Sequence, residues 1–524
     1  MRDTVARPFV PPAGWLGPAA GEAPGLSAPF LVAATLLGAV LRLAGLTRQS
    51  LWVDEAMTWQ AVRPGAGLQF LEQVRDSIQG PLYTAVVWPL VRLGDPELML
   101  RLPAAVAGVL TVPLFAAVAV RLLDRRGARL AVLLVAINPF LVWYSQEARG
   151  YAFAVFFGVA MALAFLRMLE RGPNRADGAA FALASAAAAW SNLSGIFLWA
   201  ALGLTLLVRP PRTGRAWAGW AVAFGVGFLA MVPWLLQATG IWAVDRIVPG
   251  AATGEALRGE TTFAPLALPY TLFTFFFGFS YGPSLRELHQ PDRLQAVRDA
   301  WPWLAAGGLP VLVGAVAAVG GLRRRWPLLL WIVVPALALL VLALRNVKPW
   351  NPRYLAVAAP WALALVAAGL VRLPRWPGTA LTALLCAATL VSLGNSWLSP
   401  RYAKEDLRAA AAWIAASERP DWPVLVPEVT TAWRFYGPPG LPVITAFGAG
   451  PLGDPADADA FVAARLAGVD GAWIVLAREW AFDPGGLLVP ALGRAGAVAP
   501  AAGFAGVRVL SWQAPPSREA GRGG

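Results

Sequence analysis

Apolar runs long enough to cross a lipid bilayer recur along this sequence, and they constrain the fold more than any other feature. A hydrocarbon layer of roughly 30 Å takes about 20 helical residues to cross. Such runs lie near 27–46, 101–121, 129–146, 150–169, 177–191, 193–208, 216–236, 301–321, 326–344, 354–371 and 378–397. The fifth and sixth are short, and their junction "SNLSG" reads as a tight turn at the surface. Residues 263–280, "FAPLALPYTLFTFFFGFS", form a twelfth run whose prolines and aromatics also suit a re-entrant or interfacial segment. Of 524 residues, 58% are hydrophobic and 14% charged, too little charge to solvate a globule of this size. The chain reads as a polytopic α-helical membrane protein.

Arginines set the expected orientation. Arg121, Arg125, Arg126 and Arg129 follow the second run, Arg167, Arg171 and Arg175 the fourth, Arg209, Arg212 and Arg215 the sixth, and Arg323, Arg324 and Arg325 the eighth. All fall on one side, as cytoplasmic loops do, provided that 263–280 does not fully cross. The net charge of +13 is thereby accounted for without a nucleic-acid partner. The sole cysteine, Cys386, lies in an expected span and permits no intramolecular disulfide.

This parity gives a cytoplasmic N-terminal tail over 1–26 and a membrane domain over 27–397 whose first outer loop spans 47–100. In that loop "LQFLEQVRDSI" and "PLYTAVVWPLVRL" read as interfacial helices. Residues 398–515 shift to the composition of a soluble domain facing outward. There "KEDLRAAAAWIAAS" and "DADAFVAARLAG" read as helices, and "WPVLVP" and "AWIVLA" as short buried strands of a small α/β domain. Residues 516–524 read as a disordered tail.

Four outer stations carry polar residues that a membrane protein otherwise avoids: Asp54 and Glu55 in "LWVDEAMTW", "IQGPLY" with Tyr83, "WYSQEARGY" with Glu147 and Arg149, and "RNVKPWNPRYL" with Arg345, Lys348 and Arg353. The last group sets three cations on the side where orientation disfavours them, which calls for an anionic partner. An arginine fork at headgroup depth suits phosphate, with generic contact to anionic lipids or an internal salt bridge as the plainer readings. A carboxylate such as Asp54 can accept a proton from an attacking hydroxyl, and adjacent like charges raise one apparent pKa. The plainer alternatives are that Asp54 caps a helix beginning near Glu55, that Glu55 serves helix-end electrostatics or an internal ion pair, and that Glu147 and Arg149 pair or cap. His289, the only histidine, has no cysteine nearby, which argues against a histidine metal site or a Ser/His triad.

The ordered set "LWVDEA", "GPLY", "ELMLRLPAAVAGVLTVPL", "NPFLVWYSQEARGYAF", "SYGPSLRELH", "NPRYLAVAAP" and "KEDLRAAAAWI" resembles the membrane C-type (GT-C) glycosyltransferases over nearly the whole chain. The likeness is to the family 39 group that includes protein O-mannosyltransferases and the aminoarabinose transferase of lipid A. The resemblance implies an inverting transferase of the cytoplasmic membrane that takes a mannose or pentose-like sugar from a polyprenyl-phosphate donor. The acceptor would be a protein, lipid or glycan on the outer face. By match, Asp54 corresponds to the catalytic base, Glu55 to its acidic neighbour, and Glu147 and Arg149 to a polar motif lining the cavity. Arg353 corresponds to the arginine near the carrier phosphate, with Arg345, Lys348 and Tyr83 as further substrate contacts. Relatives often carry a histidine and paired prolines where Gln79, Gly80 and Pro81 stand, so nothing that histidine does is carried over. No cofactor is expected, with a divalent metal left open. The competing readings are a lipid-phosphate transporter, which would need polar residues deep in the spans, and a non-catalytic carrier-binding relative.

Overall fold

The computed structural model describes residues 25–65, 80–208, 210–211, 213–239, 263–290, 292–446 and 450–516. The tail up to residue 24, the helix expected at 68–78, Gln79, Arg209, Arg212, the side chains of 322–324 and the last eight residues lie outside that description. The chain divides into two compact units. One comprises Met1–Leu46, Ala61–Gly282 and Ala300–Gly394; the other comprises Thr47–Gln60, Pro283–Asp299 and Asn395–Gly524.

The first unit is helical. Helices occupy each of the eleven expected crossings, and seven among the described residues are individually long and apolar enough to span a membrane. An eighth span is bent by 46° between Arg125–Ile137 and Pro139–Ser145. The bend follows from Pro139, which cannot donate to the preceding turn and leaves carbonyls unsatisfied in an apolar setting. Buried Arg42 fills that gap, donating to the Ala136 carbonyl at 2.7 Å and the Val135 carbonyl at 3.0 Å. Asn138 closes the other side: its Oδ1 accepts from the Leu141 amide, and its Nδ2 donates to the Phe275 carbonyl, both at 2.9 Å.

The apolar run at 263–280 forms the helix Ala267–Phe277. Eleven residues rise only about 16 Å, well short of the hydrocarbon thickness. Helices Pro96–Leu122 and Tyr151–Arg171 are joined at their C-terminal ends by an Arg121–Glu170 ion pair of 3.0 Å. Trp301–Val319 turns Leu309, Leu312, Val316 and Val319 outward and Gly307, Gly314 and Ala318 inward, the small-residue packing used when lipid is as apolar as leucine.

The second unit is an α/β domain around a five-stranded sheet. Strands β1 (Val424–Val426), β2 (Val443–Thr445), β3 (Gly471–Ala477), β4 (Ala497–Phe504) and β5 (Val507–Gln513) are ordered β2-β1-β3-β5-β4. The first three are parallel, and β5 runs antiparallel to both β3 and β4. All seven residues of β3 are buried, as expected of a strand covered on both faces. Ile474 and Leu476 face the helices Pro455–Arg465 and Leu488–Ala495, while Trp473 and Val475 face Leu407–Ala415 and Thr430–Tyr436. The latter core also takes in Ala56 from the early helix Val53–Val62. The segment expected in an outer loop is thus part of this domain's hydrophobic core.

Candidate functional site

Within the helical unit, a cleft of about 580 Å³ is lined by Gly80, Arg149, Gly150, Tyr151, Lys348 and Tyr354, by apolar side chains, and by Ser191, Asn192 and Ser194. Its cationic side is built around Tyr354. Pro352 opens a 3-10 turn, Pro352–Ala358, capped by Asn351, whose Oδ1 accepts from the Arg353 amide at 3.1 Å. That turn brings Arg353 and Tyr354 next to each other: Arg353 donates to the Tyr354 hydroxyl at 3.2 Å, and its Cζ stands 5.2 Å from the ring centroid. Lys348 Nζ lies 4.5 Å from the same centroid. Burial pushes the Lys348 ammonium below the usual lysine range, and repulsion from Arg353 and Arg149 adds to this while Tyr354 opposes it. Arg353 and Arg149 thus both act on Lys348, and Arg149 and Lys348 line the cleft while Arg353 does not; an incoming phosphate stabilises such an arrangement. Arg345 is different: it is exposed at the end of Leu322–Leu344 and does not line the cleft.

Glu147 is fully buried, and its carbonyl accepts from the Arg149 amide at 2.7 Å. Tyr83 is buried as well. Its hydroxyl donates to the Leu100 carbonyl and its ring stacks edge-on with Phe153, so it ties Pro81–Leu90 to neighbouring helices and is not a lining residue of the cleft.

The turn "SNLSG" departs from expectation. Ser191 and Ser194 are buried, at 2% and 3% exposure, and the turn forms a wall of the cleft instead of lying at the surface. Two glycines impose this. A Cβ on Gly80 would come within 2.2 Å of the Trp190 carbonyl oxygen, and one on Gly150 within 2.3 Å of that of Ser191. Three polar residues inside an apolar stretch were the available signal, masked by their resemblance to an ordinary loop.

Asp54 and Glu55 stand in the second unit. Their helix begins at Val53, so Asp54 sits in the first turn and is not the cap. Asp54 is half-buried; Glu55 is fully buried and forms an ion pair of 3.0 Å with Lys404, whose side chain is 10% exposed. The Trp52 amide also donates to Glu55 at 3.4 Å. The internal ion pair considered for Glu55 is present, and its partner Lys404 escaped the sequence reading because 349 residues separate the two. His289 stacks on Trp480 with centroids 5.0 Å apart. Among the described residues no three His, Cys, Asp or Glu side chains gather as a metal site.

Residues 79–236 match the family described as dolichyl-phosphate-mannose-protein mannosyltransferase. The fold is similar to that of ArnT from Cupriavidus metallidurans in its apo state, at 14% identity and a TM-score of 0.52, over 92% of this chain and 97% of that one. The fold of this chain is of the GT-C type. The same GT-C fold is seen in ArnT bound to undecaprenyl phosphate, at 14% identity and a TM-score of 0.50 over 93% of this chain and 98% of that one. The Archaeoglobus fulgidus oligosaccharyltransferase is a further GT-C neighbour, at 13% identity and a TM-score of 0.49 over 90% of this chain and 72% of that one. No protein of curated function matches the sequence.

Proposed function

We propose that this chain is an inverting glycosyltransferase that moves a sugar from a polyprenyl-phosphate carrier to an acceptor hydroxyl on the outer face of the cytoplasmic membrane. One observation carries the reading: a cleft within an apolar helical unit is lined by Arg149 and Lys348, with Arg353 bonded to the hydroxyl of the lining Tyr354. Cations gathered in such a setting favour an anionic ligand, and a lipid-linked phosphate is one. The solved relative with undecaprenyl phosphate agrees with that ligand class. Two of the arginine groups that set orientation share one end of the unit through the Arg121–Glu170 pair, which supports cytoplasmic loops there.

In this reaction the acceptor oxygen attacks the anomeric carbon while the bond from that carbon to the phosphate oxygen breaks. The electron pair leaves with the phosphate, whose growing charge is met by Arg149, Lys348 and Arg353. Asp54 takes the hydroxyl proton. A single displacement inverts the centre, and a phosphate leaving group needs no acid.

The test uses the full chain in nanodiscs with radiolabelled polyprenyl-phosphate mannose and arabinose. Asp54→Asn abolishes transfer and leaves carrier binding intact, whereas Arg353→Ala weakens both. Full transfer by Asp54→Asn removes the mechanism.

A further inference from the structure

The cations of the cleft account for a phosphate but not for the neutral polar residues that also line it. Helices Arg175–Ser191 and Gly195–Val208 are joined by residues 192–194, and the turn is rigid by construction. Asn192 Oδ1 accepts from the Ser194 amide at 3.0 Å, the Ser191 hydroxyl donates to the Ala187 carbonyl at 2.7 Å, and the Gly195 amide donates to the Asn192 carbonyl at 2.9 Å. Gly80 and Gly150 press on the Trp190–Ser191 backbone from outside. These bonds leave the Asn192 amide nitrogen and the Ser194 hydroxyl without a hydrogen-bond partner among the described residues. Both residues line the cleft together with Lys348 and Tyr354.

Polar groups held rigid at the lining of a cleft are positioned to bond a ligand there. Neutral hydrogen-bonding groups line the cleft beside its cations, and a phosphate alone uses only the cations. The group joined directly to the carrier phosphate is the sugar, a ring of hydroxyls.

We propose that residues 191–194 are the sugar-reading subsite: the Asn192 amide and the Ser194 hydroxyl bond the ring hydroxyls of the donor while the cations of the same cleft hold its phosphate. This rests on the reading of the chain as a carrier-dependent transferase. It assigns selectivity among donor sugars to a neutral turn and leaves affinity for the lipid phosphate with the cations. A site built around such donors rejects analogues that lack the matching hydroxyl.

The full chain in nanodiscs is titrated with undecaprenyl phosphate, undecaprenyl-phosphoryl mannose and undecaprenyl-phosphoryl arabinose. The wild type binds at least one sugar-bearing lipid more tightly than the bare one. Asn192→Ala weakens that lipid about tenfold, the worth of one good hydrogen bond, with the bare lipid unchanged within about twofold. Ser194→Ala, which keeps the Asn192-to-backbone bond and hence the turn, acts in the same direction with an unchanged melting temperature. Equal weakening of bare and sugar-bearing lipids assigns the turn to phosphate or to folding and overturns the proposal. So does a wild type indifferent to the sugar. A wild type that binds none of the three lipids defeats the transferase reading itself, a distinguishable failure.

Discussion

Lys348 holds its ammonium over the Tyr354 ring with two guanidinium groups acting on it, a strain that a bound anion relieves. Burial is the first cause of its depressed proton affinity, so the cation is lost on raising the pH before the ordinary value of 10.5 is reached. Only the cation attracts phosphate. Affinity for undecaprenyl phosphate is therefore expected to rise through about pH 6, where a phosphate monoester gains its second charge, and to fall again in the alkaline range at a pH below that of a free lysine. Isothermal titration across pH checks this, and Lys348→Met removes the alkaline limb. At this scale much was legible in advance. Arg149 stood out as part of a polar turn between two apolar runs, and Lys348 and Arg353 stood out because cations sat where orientation disfavours them. Arg345 shared that signal, yet it ends up exposed, because charge position along a sequence does not say which way a side chain turns. Ser191, Asn192 and Ser194 carried no charge to betray them, and only the close approach of two glycines reveals the wall they form.

Elements of the helical unit were readable from hydropathy because lipid imposes a length on each, and the five-stranded domain was readable only in part. β1 and β3, continuous apolar runs, were visible; β2 is three half-buried residues, and β4 alternates too irregularly around its bulge at Pro500 to Ala502 to be recognised. What hydropathy does not convey is how closely helices approach. Between Trp301–Val319 and Ala359–Leu370, a Cβ added to Gly369 would lie 1.7 Å from the Gly314 carbonyl oxygen. No rotamer relieves a clash with backbone, so Gly369→Ala must separate the helices. The expected cost is on the order of 3 kcal/mol, read as a lowered melting temperature in detergent, with Gly308→Ala, which meets open space, as the neutral control. An unchanged melting temperature for Gly369→Ala would show that the two backbones are not in contact.

At the scale of the whole chain, the least legible feature is that the α/β unit is assembled from three separated stretches. Periodicity describes neighbours in sequence, whereas Ala56 packs beside Leu407 and Ile414 and the Leu51 amide donates to the Tyr436 hydroxyl at 2.6 Å. The Ser50 hydroxyl donates to the Glu405 carbonyl at 2.7 Å, and Arg408 donates to that of Thr47 at 2.9 Å. The Lys404–Glu55 ion pair belongs to the same set. Removing Lys404 takes a buried carboxylate's ion-pair partner away, so Lys404→Met is expected to destabilise the second unit by on the order of 3 kcal/mol. Adding Glu55→Gln in the same chain should recover most of that loss. Hydrogen exchange of the peptide covering 51–62 reports both changes, and equal protection in wild type and Lys404→Met would deny the pair any role.

The same stitching bears on how the protein is made. Ser50 and Glu405 are 355 residues apart, so a ribosome has completed every membrane crossing before the segment bearing Asp54 meets its final neighbours. Under the proposed function, a nascent or truncated chain would hold a lipid phosphate in its helices while the acidic motif is still adrift, and competence would come last, with the C-terminal sequence.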